Sequence, residues 1–231
     1  MNFHRIADLS EQYVYFNDDM FLLRPLKESF FYKSGNPVLD TNLRYTDMVG
    51  YNNWSRLLFN DYCVVNESFD VYRSIKDNRK KWFSTKELGF KRARRNLMCF
   101  FANYTLPVGL YGHIALPHLK STLTEVWNRH YDVMDQTCVH KFRSDDQVNQ
   151  WLLCAWNQAK GRFYPARSDK LGRHFNVSPD NVEEICEFIK AQSYPQVCIN
   201  DSEYNMKPDY CDAELKKAFD GVLLEKSTFE K

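Results

Sequence analysis

The sequence holds no run of about eighteen apolar residues, so no segment is suited to cross a bilayer as a helix. No charged stretch followed by an apolar one opens the chain, and no secretory leader is expected. An excess of either charge is missing too: 31 Lys+Arg stand against 30 Asp+Glu, a net +1. That argues against nucleic acid as a partner and against a polybasic membrane contact. The one basic cluster, Lys91-Arg-Ala-Arg-Arg95, reads as a solvated helix face rather than a site for a phosphate-rich acceptor or a lipid head group. The seven cysteines (63, 99, 138, 154, 186, 198, 211) are odd in number and include no CxxC pair. Buried free thiols in a reducing cytosol account for them better than disulfides or zinc. There is no internal repeat and no low-complexity segment.

What is present is a chain of 231 residues, 44% hydrophobic and 16% aromatic, enough for a packed core. It suits one domain, or one domain with a lobe. Apolar strands alternate with amphipathic helices, which favours an α/β fold. Tyr13–Phe16 reads as a strand, Lys33–Pro37 as a turn, and Asn52–Ser74 and Thr85–Asn103 as helices. Residues 105–120 read as a loop, with Pro117 in the first turn of a helix spanning Lys120–Tyr131. Ser144 is placed to cap a helix over Asp146–Gln158, and Pro179 to open another. Pro195–Asp201 is a second apolar strand, and Asp212–Leu224 a last amphipathic helix. The dense aromatics of residues 26–111 suit a hydrophobic core, with an acceptor groove as the alternative.

Four constellations could carry chemistry. Asn17-Asp18-Asp19 ends the first strand in two carboxylates, the ligands that Mg²⁺ or Mn²⁺ prefers; an Asx turn closing the strand is the plainer reading. His113 lies in a loop braced by glycine and proline, where an imidazole can take a proton at neutral pH. A surface histidine is the alternative, and His118 reads as a structural partner rather than a second base. Arg143, two residues after Lys141 and just ahead of Ser144-Asp-Asp146, can hold a phosphate or pair with one of those aspartates. Asn200-Asp201 repeats the strand-then-polar pattern and, alone, reads as a turn.

In this order the motifs resemble the Stealth family of hexose-1-phosphoryl transferases. The match runs through Asn2–Phe21, then Gly112–Leu119 and His140–Asp146, then Val197–Asp201 and Glu225–Lys231. These correspond to the end of the family's second conserved region (within 1–25), its third (112–165) and its fourth (195–231), with 26–111 as a variable helical insertion. The resemblance implies an incomplete nucleotide-binding, Rossmann-like sheet with flanking helices. It implies Asp18 and Asp19 at a Mg²⁺ (or Mn²⁺) and a diphosphate, and His113 with Arg143 as the catalytic pair. Asn17, His118, Lys141, Asn200 and Asp201 are expected to bind substrate. Ala115 stands where family members often carry a proline.

The implied reaction moves a sugar-1-phosphate from a nucleotide sugar donor to a saccharide acceptor during capsular or cell-surface polysaccharide synthesis. The expected location is the cytoplasm, or the periphery of the inner membrane. The family's first region, a Tyr-Thr-Trp-Val type strand, has no counterpart here. The chain is therefore expected to be the C-terminal part of one catalytic domain. A split or inactive form needing a partner chain, and a metal-dependent glycosyltransferase, are the alternative readings. An incomplete sheet would leave an unpaired edge and favour self-association.

Overall fold

The computed structural model describes residues 1–44, 53–102, 108–109, 112–201 and 208–225. A short 3₁₀ turn at Phe3–Arg5 is followed by β1 (Gln12–Tyr15), β2 (Met20–Leu22), α1 (Glu28–Phe31), β3 (Tyr32–Lys33), β4 (Asn36–Asp40) and β5 (Leu43–Arg44). The helices α2 (Asn53–Ser68), α3 (Val71–Asp77), α4 (Arg79–Trp82) and α5 (Thr85–Phe101) come next. Then follow β6 (Val108–Gly109), β7 (Leu116–Leu119), α6 (Lys120–Arg129), α7 (Tyr131–Val139), α8 (Trp151–Ala159) and β8 (Tyr164–Ala166). The chain continues as α9 (Ser168–Leu171), β9 (Arg173–Val177), α10 (Val182–Ala191), β10 (Gln196–Asp201) and α11 (Pro208–Asp220). The architecture is mixed α/β with small sheets. Among the described residues no helix is long and apolar enough to cross a membrane.

Two compact units divide the chain. The first comprises Met1–Tyr15, Ser29–Tyr111 and Leu116–Arg167. Its described strands form three small sheets, β1-β7, β3-β4-β8 and β5-β6. Its core is built on α8, where every side chain from Trp151 to Gln158 is buried. A helix apolar all round belongs in an interior. Two of the polar groups it takes inside are paired: Asn157 Oδ1 accepts from Thr122 Oγ1 at 2.8 Å, and Gln158 Nε2 donates to the Asp40 carbonyl at 2.9 Å. The turn expected at Lys33–Pro37 is the β3–β4 hairpin, whose central Ser34 and Gly35 both have positive φ, as a tight two-residue hairpin loop requires.

Several expectations are corrected in this unit. Residues 52–74 do not form one helix, because Asp70 caps a new one by accepting from the Arg73 N–H at 2.9 Å. Pro117 lies in a strand rather than a first helical turn. Its partner across the pair is Val14, and Lys120 N–H donates to the Glu11 carbonyl at 2.8 Å. Counting back from that bond puts Pro117 at a position where no ladder donor is required. The helix expected from Asp146 begins at Trp151. Asn60 Nδ2 donates to the carbonyls of Asp145 and Gln147, and Asp61 accepts from Asn149 N–H. These bonds hold the segment before Trp151 out of helical geometry. The basic cluster of α5 is only partly solvated, since Arg92 pairs with the buried Asp40 and Arg95 donates to Asn42.

Of the aromatics in residues 26–111, Tyr62 and Trp82 are buried in the core, while Phe59, Tyr72, Phe90 and Phe101 are exposed. Asn52, Asn103, residues 105–107 and 110–111 of the loop before His113, and the tail beyond Glu225 lie outside the described residues.

The second unit comprises Phe16–Glu28, Gly112–Ala115 and Ser168–Lys231. Its sheet has the order β2-β10-β9, with β9 and β10 parallel and β2 antiparallel to β10. Strand β9 was not expected from the sequence. Side chains alternate between the faces of a strand, and here the alternation separates grease from chemistry. Phe175, Val177, Val197 and Ile199 pack with Val182, Ile185, Cys186 and Ile189 of α10 and with Cys211 and Ala218 of α11. Spacings of three and four residues put the α10 set on one helical face. The last helix covers Pro208–Asp220, one turn earlier than expected.

Candidate active site

The opposite face of the β2-β10-β9 sheet carries His174 and Asn176 from β9 and Gln196, Cys198 and Asn200 from β10. Cys198 pairs in register with His174, and Asn200 with Asn176. The turn Asn17-Asp18-Asp19 leads into β2, closed by a bond from Met20 N–H to the Asn17 carbonyl. The Asp19 carbonyl accepts from Ile199 N–H at 2.8 Å, which fixes the turn to the sheet.

His113 sits on the segment Gly112–Ala115, laid across the same face. Gln196, 2% exposed, accepts from Ala115 N–H at 3.2 Å through Oε1. Two glycines allow this close approach. A Cβ on Gly112 would stand 2.9 Å from Ser168 Cβ, and one on Gly172 would stand 2.6 Å from Gln196 Cγ and 3.0 Å from Ile114 Cγ2.

These elements bring five side chains together. Asn17 Nδ2 donates to His113 Nε2 at 3.0 Å. Asp19 Oδ2 lies 3.8 Å from the same nitrogen and accepts from the Cys198 thiol at 3.2 Å. The rings of His113 and His174 are 5.0 Å apart. Burial, and then the neighbouring His113, push the His174 pKa below its usual value, with Asp19 opposing. The Cys198 thiol is pushed strongly upward by burial and by its bond to Asp19, which keeps it protonated. The other Asp19 oxygen, Oδ1, is buried without a hydrogen-bond partner.

An amide Nδ2 can only donate, so the His113 Nε2 facing it presents a lone pair. A proton taken up at that nitrogen would take the place of the Asn17 hydrogen bond, with the Asp19 carboxylate 3.8 Å away. An imidazole held with one ring nitrogen unprotonated is a group that can act as a general base. Asp18 is exposed beside Asp19, Asn200 is half-buried with Oδ1 3.9 Å from Cys198 Sγ, and Asp201 is exposed at the end of β10. For Mg²⁺, which takes one or two carboxylates and completes its shell with water and phosphate, the partnerless Asp19 Oδ1 is a fitting ligand, and Asp18 is an exposed carboxylate one residue away. His113, His174 and Cys198 form a second potential ligand group, their donor atoms all within 4.8 Å of one another.

The remaining expected site residues belong to the first unit. Arg143 and Lys141 are exposed in the irregular segment after α7. Asp145 pairs with Arg56 at 2.9 Å and Asp146 with His140 at 3.2 Å. Among the described residues, Arg143 has neither as its ion-pair partner. His118 is 1% exposed in β7, between Tyr13 and Tyr15, with both ring nitrogens unpaired. Burial pushes its pKa down to about 3, so it is neutral at any ordinary pH.

No family model matches the chain. Whole-chain relatives do. A capsular polysaccharide phosphotransferase, WcwK, of Streptococcus pneumoniae is 31% identical over 100% of this chain and 68% of its own length. The chain belongs to the Stealth family of phosphotransferases. A receptor polysaccharide phosphotransferase, WefC, of Streptococcus gordonii is likewise 31% identical, over 99% of this chain and 67% of its own. An exopolysaccharide phosphotransferase of Lactiplantibacillus plantarum is 25% identical over 100% and 67%. Within this Stealth chain, sequence reasoning missed His174 and Cys198. The available signal was the even spacing of Cys198 and Asn200, which puts a thiol on the same strand face as an expected site residue.

Proposed function

We propose that the protein transfers a sugar-1-phosphate from a nucleoside diphosphate sugar to a saccharide hydroxyl in capsular or cell-surface polysaccharide synthesis. The observation that carries this reading is the contact of Asn17 and Asp19 with one nitrogen of His113. Family membership supplies the class of reaction, and the names of the relatives supply polysaccharide as its setting.

In this reading, the acceptor hydroxyl gives its proton to His113 Nε2 as its oxygen attacks phosphorus. A bond forms between that oxygen and phosphorus. The bond from phosphorus to the nucleoside monophosphate breaks, leaving a phosphodiester. Asn17 holds Nε2 unprotonated until the acceptor hydroxyl takes the place of its amide, and Asp19 lies beside the imidazolium that results. Phosphoryl transfer of this kind depends mainly on positioning and on neutralising charge. Arg143 is suited to the phosphate oxygens, because its guanidinium is exposed and presents a planar fork of donors. Lys141 adds positive charge nearby in sequence, and Asn200 and Asp201 line the sugar side. Asp18 and Asp19 would hold Mg²⁺, which when bound neutralises the diphosphate. His118 contributes by packing, since no ring nitrogen reaches the surface.

The test is the leaving group. Incubation with a panel of nucleotide sugars, a saccharide acceptor and Mg²⁺ should release nucleoside monophosphate. Release of nucleoside diphosphate would instead mean attack at the anomeric carbon and would overturn the reading.

A further inference from the structure

His174 and Cys198 have no part in the reaction above, yet the β9–β10 register sets them side by side facing His113. Two imidazoles and a thiol have their donor atoms within 4.8 Å of one another. Asp19 Oδ2 is 3.2 Å from the thiol sulfur and 3.8 Å from His113 Nε2. The partnerless Asp19 Oδ1 leaves that carboxylate short of positive partners. Nitrogen and sulfur donors select zinc-class ions, whereas Mg²⁺ and Ca²⁺ take oxygen.

The geometry points to a second cation site in this unit: a zinc-class centre held by His113, His174 and Cys198, with Asp19, beside two of the three, to supply the fourth ligand. In such a centre, bonds of about 2.0–2.3 Å set neighbouring donor atoms about 3.5 Å apart. The cluster needs to contract by roughly 1 Å to meet that figure. His174 is exposed, so its side chain is free to make the adjustment. Cys198 and Asp19 are already in contact. The thiol proton passes to solvent as the sulfur binds.

Occupancy has a consequence for turnover. A zinc ion that displaces the Asn17 amide and binds His113 Nε2 takes the lone pair that would accept the acceptor's proton, so the bound ion inhibits transfer. This consequence rests on the reading of His113 as the base; the site itself does not. Mg²⁺ and the zinc-class ion share only Asp19, and they differ in every other ligand.

Cobalt is the probe, because a Cys–Co²⁺ bond gives a charge-transfer band in the near ultraviolet. The full chain carrying Cys63→Ser and Cys138→Ser, the two thiols that are not buried, is titrated with Co²⁺. One equivalent should produce the thiolate band together with strong tetrahedral bands in the visible. Cys198→Ser should abolish the thiolate band. His174→Ala, a surface change that a thermal melt checks for folding, should weaken cobalt binding by at least about 10-fold. Absence of the band, its persistence in Cys198→Ser, or undiminished affinity in His174→Ala overturns the site. Zn²⁺ added at saturating Mg²⁺ should lower nucleoside monophosphate release in the parent, and lower it less in His174→Ala. Full turnover by zinc-loaded protein overturns the inhibition. A cobalt site in a chain that transfers no phosphate with any nucleotide sugar upholds the site and counts against the proposed function.

Discussion

Asn17 donates its amide hydrogen to His113 Nε2 across 3.0 Å, joining the turn before β2 to the segment that crosses the sheet. Without it, the imidazole loses the group that fixes its ring and its tautomer. With His113 as the proposed base, Asn17→Ala should lower kcat about 10- to 100-fold with little change in KM for the donor, the cost of misplacing such a group. Asn17→Asp should fail to restore it, because a carboxylate accepts and does not donate. Steady-state kinetics on both variants checks this, and a parental kcat in Asn17→Ala would remove the orienting role.

Arg143→Ala should cost about 10²–10³ in kcat, the usual worth of one donor aimed at developing charge. Arg143→Lys should recover only part of the loss, because an ammonium lacks the planar fork. Equal activity in Arg143→Lys and the parent would reduce the role to a point charge.

Much of this site is legible in the sequence, and the part that is not has a physical cause. A strand ending in Asn17-Asp18-Asp19 and a histidine in a braced loop are local patterns, readable one segment at a time. His174 is not local. It joins the site because β9 and β10 pair in parallel around α10, and nothing in Arg173-His-Phe-Asn-Val177 announces that pairing. Cys198 reads as one more apolar residue in a buried strand. Pro117 misleads because a missing N–H suits a first helical turn and an unbonded strand position alike. Ser144-Asp-Asp146 misleads because Asn60 and Asp61, far away in sequence, claim the backbone groups that a helix would have used.

His118→Phe should stabilise the protein, most strongly in acid. The ring is buried with two unpaired nitrogens, a state that costs free energy which an apolar ring avoids. Its folded pKa of about 3 lies below the ordinary 6.5, so the unfolded chain takes up a proton that the folded one refuses. Parent stability should fall as pH drops below 6.5, by up to about 1.4 kcal/mol per pH unit from this group. Urea unfolding at pH 8 and pH 5 should show a larger gain for the variant at pH 5. A gain independent of pH would show that protonation of the imidazole in the unfolded chain is not a cause.

Asp61 should give the opposite slope. It is fully buried in α2, accepts from Asn149 N–H through Oδ1, and leaves Oδ2 unpaired. Burial pushes its carboxyl well above the usual 3.8. The stability it contributes is present below that usual value and is lost as pH rises through the raised one. Asp61→Asn keeps the acceptor and cannot ionise. Its stability relative to the parent should rise between pH 4 and pH 8, measured by the same unfolding series.

Gly172→Ala tests the seat of His113. Its Cβ would stand 2.9 Å from the Gln196 carbonyl oxygen, a backbone atom that cannot step aside cheaply. Overpacking of this sort costs about 1–3 kcal/mol, and here the strain falls on the residues that seat His113. Melting temperature and kcat should drop together. An unchanged melting temperature would mean that the segment is looser than the contacts suggest.

The alternation along β9 and β10 sets how this protein can change without breaking. Positions 174, 176, 198 and 200 face the candidate site, while 175, 177, 197 and 199 hold the core. A substitution at an even position can retune the reaction and leave folding alone. Deleting or inserting one residue within either strand would turn that strand over, placing valine and isoleucine on the face of the candidate site and a histidine or an asparagine in the oil beneath. New specificity in this sheet is therefore open to point substitution and closed to single-residue changes in strand length.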